Sequence, residues 1–166
     1  MKRNIIYFTL SILTWIACNN NKKEPTTHLT NSTTEKIEMK SGYSEVNGLN
    51  MYYEIYGEGK PIVLIHGGGS TIQSSFEKLI PLLSKNRKVI AVESQAHGRT
   101  NDRNADLSFE QDADDIATLF KNLNIDKADF LGFSNGGTTT LQIAIRHPEI
   151  IDKMILASAL AKRHGV

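Results

Sequence analysis

Apolar and polar positions divide the chain into three regimes. Ile5 to Ala17 is a nearly continuous apolar run, broken only by Thr9, Ser11 and Thr14 and preceded by Lys2 and Arg3. Residues 18–40 are rich in Asn, Thr, Lys and Glu, carry Pro25 and hold few apolar positions, so they bury too little surface to offset the entropy of ordering. Residues 41–166 alternate short apolar runs with helical periods, which predicts an α/β fold: a mostly parallel sheet of about six strands with helices on both faces.

Within the third regime, Val46, Asn47-Gly48 and Met51 to Tyr56 predict a hairpin turning at Asn47-Gly48. Ile62 to Ile65 is a continuous run expected of a strand buried on both faces, and it stops at His66-Gly67-Gly68-Gly69. A helix is expected near Ser75, with Pro81 kinking or breaking it, and Val89 to Val92 is the next strand. Ser108 opens the clearest helix, with Gln111 completing a capping box and Ile116, Leu119, Phe120 and Leu123 as its buried stripe. Glu110, Asp112, Asp114 and Asp115 crowd its start and read as a solvated face rather than a metal cluster. Ala128 to Phe133 is a strand, a helix with Leu141, Ile143, Ala144 and Ile145 ends at His147-Pro148, and Met154 to Leu156 is a last strand.

Composition narrows the function classes. The chain has 166 residues, 40% hydrophobic and 22% charged, with formal net charge +1, too small to steer nucleic acid. Cys18 is the only cysteine, which excludes a disulfide framework. No phosphate loop, dinucleotide fingerprint or zinc-ligand spacing occurs, so neither a nucleotide nor a metal cofactor is implied.

The first run has the basic start, apolar centre and small-residue end of an export signal over residues 1–17. As a helix it covers about 20 Å, short of a hydrocarbon core of about 30 Å. Its end at Ala17-Cys18, followed by Asn19 to Asn21, resembles a bacterial lipoprotein signal, with Trp15 where that family usually has Leu. The resemblance implies lipidation of Cys18, an exported protein at the cell envelope anchored to a membrane, and residues 18–40 as a tether.

The candidate chemistry lies at Gly132-Phe133-Ser134-Asn135-Gly136, a G-x-S-x-G string between a predicted strand and a predicted helix. Glycines two positions to each side let a serine occupy a strained strand-to-helix turn and project its hydroxyl as a nucleophile. The amide of Asn135, directly after Ser134, and that of Gly68, after the strand at Ile65, are the two candidate oxyanion donors. His66 reads as an organiser of its loop, and His97 and Arg99 as structural in theirs.

Together with Val89 to Thr100, these stretches resemble the α/β-hydrolase superfamily over residues 43 to about 160. Glu93, Gln95, Ala96 and Thr100 depart from its usual pattern after the fourth strand. The resemblance implies a serine hydrolase acting on a small-molecule, carboxylic ester-type substrate, with an acid and a histidine following the nucleophile in sequence. The 32 residues after Ser134 hold Glu149 and Asp152 as acids and His147 and His164 as histidines, and Asp152 with His164 is the pairing that approaches that order. Asp152 precedes a strand whose far end should lie beside the nucleophile, which puts it roughly 20 Å from that site. His164, past the strand, is the candidate base on an end without structure of its own. The region 41–166 therefore reads as an incomplete hydrolase core, with Met154 to Leu156 as an exposed apolar edge favouring self-association. The competing reading is a ligand- or partner-binding surface lipoprotein without chemistry; acyl transfer to an acceptor other than water uses the same nucleophile.

Overall fold

The computed structural model describes residues 38–161. The expected export signal, Cys18, most of the expected tether and His164 lie outside the described residues.

Strands β1 (Met39–Val46) and β2 (Leu49–Tyr56) form the expected hairpin. Asn47 and Gly48 both have positive φ, 50° and 81°, the geometry of a turn that matches strand twist. Met39 and Lys40, two positions ahead of the expected boundary, already pair with Tyr56 and Ile55. Strand β3 (Lys60–Ile65) and strand β4 (Arg87–Val92) run parallel. Both begin earlier than their apolar runs, since backbone pairing extends through the polar starts Lys60-Pro61 and Arg87-Lys88. Between them lie two short helices, α1 (Ile72–Phe76) and α2 (Ile80–Leu83). Pro81 divides the expected single helix in two: it sits in the first turn of α2, where its missing N–H costs nothing.

Helix α3 (Phe109–Asn122), strand β5 (Ala128–Phe133), helix α4 (Asn135–Arg146), a 3₁₀ turn at Pro148–Ile150 and strand β6 (Ile151–Ala157) complete the described chain. The order across the sheet is β1-β2-β4-β3-β5-β6, antiparallel up to the β2–β4 pair and parallel thereafter. Alternate residues feed opposite faces. Val63, Ile65, Ile90 and Val92 pack with Ile116, Leu119 and Phe120 of α3 and Ile143 of α4. Ile62, Leu64, Val89 and Ala91 pack with Ile72, Phe76 and Ile80 on the other face. Helices thus cover both faces, as expected. Along α4 the buried side is Gly136, Gly137, Thr138 to Thr140 and Ile143, while Ile145 of the expected apolar set is exposed.

Two expectations about α3 change. Ser108 Oγ accepts the N–H of Gln111 at 3.0 Å, but the Gln111 side chain turns to Asp115 Oδ1, leaving the capping box half formed. The four acids are not one solvated face. Asp115 is fully buried and paired with Arg103, because positions 112, 115, 116 and 119 share the inward side of the helix. Asp114 pairs with Arg146 and His147.

Strand β6 ends the sheet among the described residues, with Met154, Ile155 and Leu156 exposed. Register aligns Ile65 with both Val92 and Gly132, so the segments after β3, β4 and β5 leave one sheet edge side by side. That edge carries the candidate site.

Candidate functional site

Ser134 joins β5 to α4 with φ 53° and ψ −117°, a conformation L-residues seldom adopt. Surroundings hold it there. Its N–H donates to Ala157 O at 2.8 Å, continuing the pairing with β6, and its carbonyl accepts from Gly137 N at 2.9 Å. A Cβ on Gly132 would strike the carbonyl of Gly136, and one on Gly136 would strike the carbonyl of Ile65. The glycines two positions to each side therefore let the turn fold onto its own helix and that helix close onto β3.

The loop after β3 approaches this turn from the side. A Cβ on Gly67 would lie 3.3 Å from Ser134 Cβ, and one on Gly68 would collide with Nδ2 of Asn135. The candidate donors Gly68 and Asn135 are thus neighbours, and neither amide has a hydrogen-bond acceptor among the described residues. For Asn135 the reason is general: it is the first residue of α4, whose N–H has no partner one turn back.

Two histidines fasten that loop. His66, buried directly after β3, shares a hydrogen bond between Nδ1 and Gly67 O at 2.7 Å and accepts Ser94 N–H on Nε2 at 3.2 Å. Burial pulls its pKa below the ordinary imidazole value, against the pull of its bond to Gly67. His97 accepts Gly69 N–H on Nε2 at 3.0 Å and holds Gln95 O with Nδ1 at 2.8 Å. Each imidazole receives a backbone N–H from the other's loop, and the rings lie 5.0 Å apart. His66 is an organiser, as expected.

Arg99 is structural too. Its guanidinium stacks over the Tyr52 ring at 3.8 Å and joins Glu93, Glu54 and Gln73 Oε1. Burial pushes the Glu93 carboxyl up, but the Arg99 hydrogen bonds outweigh it and hold the group below the usual range. This network ties β2, the exit of β4 and α1 around the loop.

Two clefts meet at Gly67 and Gly68. Ser134 lines an open one with Phe76, Leu79, Leu131 and Phe133. The other, about 300 Å³, lies between the starts of α3 and α4 and is lined by Asn135, Gln95, His97, Leu107, Phe109 and Asp112 among others. Asp112 is the residue that sequence reasoning missed. It accepts from Thr139 Oγ1 at 3.4 Å, and burial, reinforced by the charge of Asp115, pushes its carboxyl up to about 6. A signal existed: Asp112 lies three and four positions before Asp115 and Ile116, on the inward face.

The remaining expected residues stand apart. Asp152 pairs with Lys60 at the start of β3, the opposite end of the strands from Ser134, as its place in β6 implies. His147 caps α4 and binds Asp114 at 2.7 Å. Among the described residues no histidine hydrogen-bonds Ser134, and no three His, Cys, Asp or Glu side chains gather to hold a metal.

Residues 60–165 match the family model of the alpha/beta hydrolase fold. The chain is 36% identical over 104 residues to a 2-hydroxymuconate semialdehyde hydrolase of Pseudomonas sp. (strain CF600), covering 60% of this chain and 36% of that protein. It is 35% identical over 121 residues to the human serine hydrolase BPHL, covering 70% and 42%. A solved meta-cleavage product hydrolase from Pseudomonas fluorescens IP01 (CumD) superimposes with TM-score 0.69 at 33% identity, covering 76% of this chain and 47% of that one. The chain spans between 34% and 44% of the length of the first curated relatives it matches. A matched region this long, with the strand order and the strained serine turn found above, makes the chain a member of the alpha/beta hydrolase fold family.

Proposed function

We propose that the chain carries the nucleophile and oxyanion donors of a serine hydrolase acting on a small organic substrate with an ester-type carbonyl. Ser134 Oγ attacks the carbonyl carbon while a base takes its proton. The amides of Gly68 and Asn135 hold the oxyanion, the proton passes to the leaving group as the acyl bond breaks, and water then releases the acyl group. The observation that carries this reading is the backbone of Ser134, φ 53° and ψ −117°, held beside two amides without acceptors. His164 is our candidate base. The relatives support a hydrolase: one is named for 2-hydroxymuconate semialdehyde and another for meta-cleavage products, and we carry over only a small-molecule substrate.

A second reading, ligand binding without chemistry, is favoured by one observation: each described histidine is committed to partners other than Ser134. Labelling the full chain with a fluorophosphonate, beside Ser134→Ala, separates the two. Labelling lost in the variant supports the hydrolase; a folded protein that does not label supports the second reading.

The lipid anchor belongs to the same proposal and rests on Ala17-Cys18 after an apolar run. Cys18→Ser should move the protein from the membrane fraction to the soluble one in a bacterial host; unchanged fractionation would remove the anchor.

A further inference from the structure

The cleft between the starts of α3 and α4 has a one-sided chemistry. Its charged lining side chains are the carboxylates of Glu110 and Asp112, and among the described residues no lysine or arginine lines it. Arg103, whose charge reaches Asp112, is itself committed to buried Asp115 and to Gln95 Oε1. His66 and His97 each spend Nε2 on a backbone N–H and Nδ1 on a backbone carbonyl, so neither ring has a nitrogen left to hold a ligand. The starts of α3 and α4 each contribute about half a positive charge, less than two carboxylates at contact distance. Leu107 and Phe109 supply an apolar wall. A carboxylate ligand would meet two like charges there, whereas an ammonium on an apolar frame would meet two opposite ones.

The cleft also adjoins the proposed reaction centre, because Gly68 and Asn135 line it. We propose that this cleft binds an amine-bearing substituent of the substrate, its ammonium held by Asp112 and its apolar part against Leu107 and Phe109. The identification as part of a substrate rests on the serine hydrolase reading; the binding of an apolar ammonium does not. Asp112 is then a specificity-determining residue that touches substrate away from the reacting carbonyl.

The test is calorimetric titration of the full chain carrying Ser134→Ala, which removes turnover, with phenethylammonium and with 3-phenylpropionate at pH 7.5. We expect phenethylammonium to bind at least about tenfold more tightly, and Asp112→Asn to bring the two within about threefold. Equal affinities, tighter binding of 3-phenylpropionate, or selectivity untouched by Asp112→Asn would overturn the proposal. A readout without the Asp112 substitution is the nuclear Overhauser contact between the phenethyl ring and Phe109. Its presence supports the site, and its absence in a formed complex overturns it. Fluorophosphonate labelling is scored separately on the unsubstituted chain. Ammonium selectivity without labelling keeps the site and removes the hydrolase reading; labelling without selectivity does the reverse.

Discussion

The Nε2 atom of His97 accepts the backbone N–H of Gly69 at 3.0 Å, joining the loop after β4 to the loop after β3. Because Gly69 follows Gly68, that bond fixes how the Gly68 amide is presented to the Ser134 turn. Replacing His97 by Phe keeps a ring and removes the acceptor. The expected outcome is a fluorophosphonate labelling rate at least about tenfold lower with an unchanged melting temperature, and partial recovery in His97→Gln, whose side-chain oxygen restores an acceptor. Equal rates in all three proteins would show that the bond does not position the amide.

Ser134 holds a positive φ of 53° without a glycine's freedom. Relief of that strain, about 1–3 kcal/mol, outweighs the added flexibility of the unfolded chain, about 0.5–1 kcal/mol, so Ser134→Gly should stabilise the fold by about 1 kcal/mol. Ser134→Ala keeps the strain and should melt with the parent. Thermal melts of the three proteins check this.

Asp115 and Arg103 form a buried pair, their side chains 0% and 10% exposed. Asn47 Nδ2 and Gln111 Nε2 also donate to Asp115 Oδ1, at 2.9 and 3.0 Å. Asp115→Ala should leave the Arg103 charge unpaired and cost about 3–5 kcal/mol in denaturant unfolding, whereas losing the exposed Lys40–Glu38 pair should cost less than about 1 kcal/mol.

Asp112 binds its proton more tightly folded than unfolded, its carboxyl pushed up by burial and by Asp115 from 3.8 to about 6. Its contribution to stability is therefore fully present below about pH 4 and is lost as pH rises through about 6. Asp114, Asp129 and Glu93 are held low by their basic partners and act in the opposite sense, losing stability as pH falls through their folded values. Asp112→Asn should flatten the decline between pH 4 and 6 and leave the acid limb in place, measured as unfolding free energy against pH.

Much of this frame was legible along the chain. Ile62 to Ile65 and Ala128 to Phe133 announced buried strands, Asn47-Gly48 a hairpin, and Ser134 between two glycines a strand-to-helix turn, because each is set by a local rule of backbone conformation. Asp112 and Asp115 were not legible as buried, since their surroundings come from elsewhere in the chain. Arg103 sits in an irregular segment without periodicity, and Thr139 belongs to a helix whose inward face is threonine and glycine rather than leucine. Likewise, the cross-bonding of His66 and His97 depends on two strands ending in register, a relation that spacing along one segment does not carry.

The seating of Gly136 against the carbonyl of Ile65 has a kinetic side. β3 and β5 pair in parallel through residues roughly seventy positions apart, a contact whose closure entropy must be met before it rewards the chain, so it forms slowly. Until that pairing is in place nothing presses the glycine turn into shape, and Ser134 is an ordinary hydroxyl. Reactivity at Ser134 should therefore emerge with the slowest phase of refolding, after the far-ultraviolet signal of the helices has recovered.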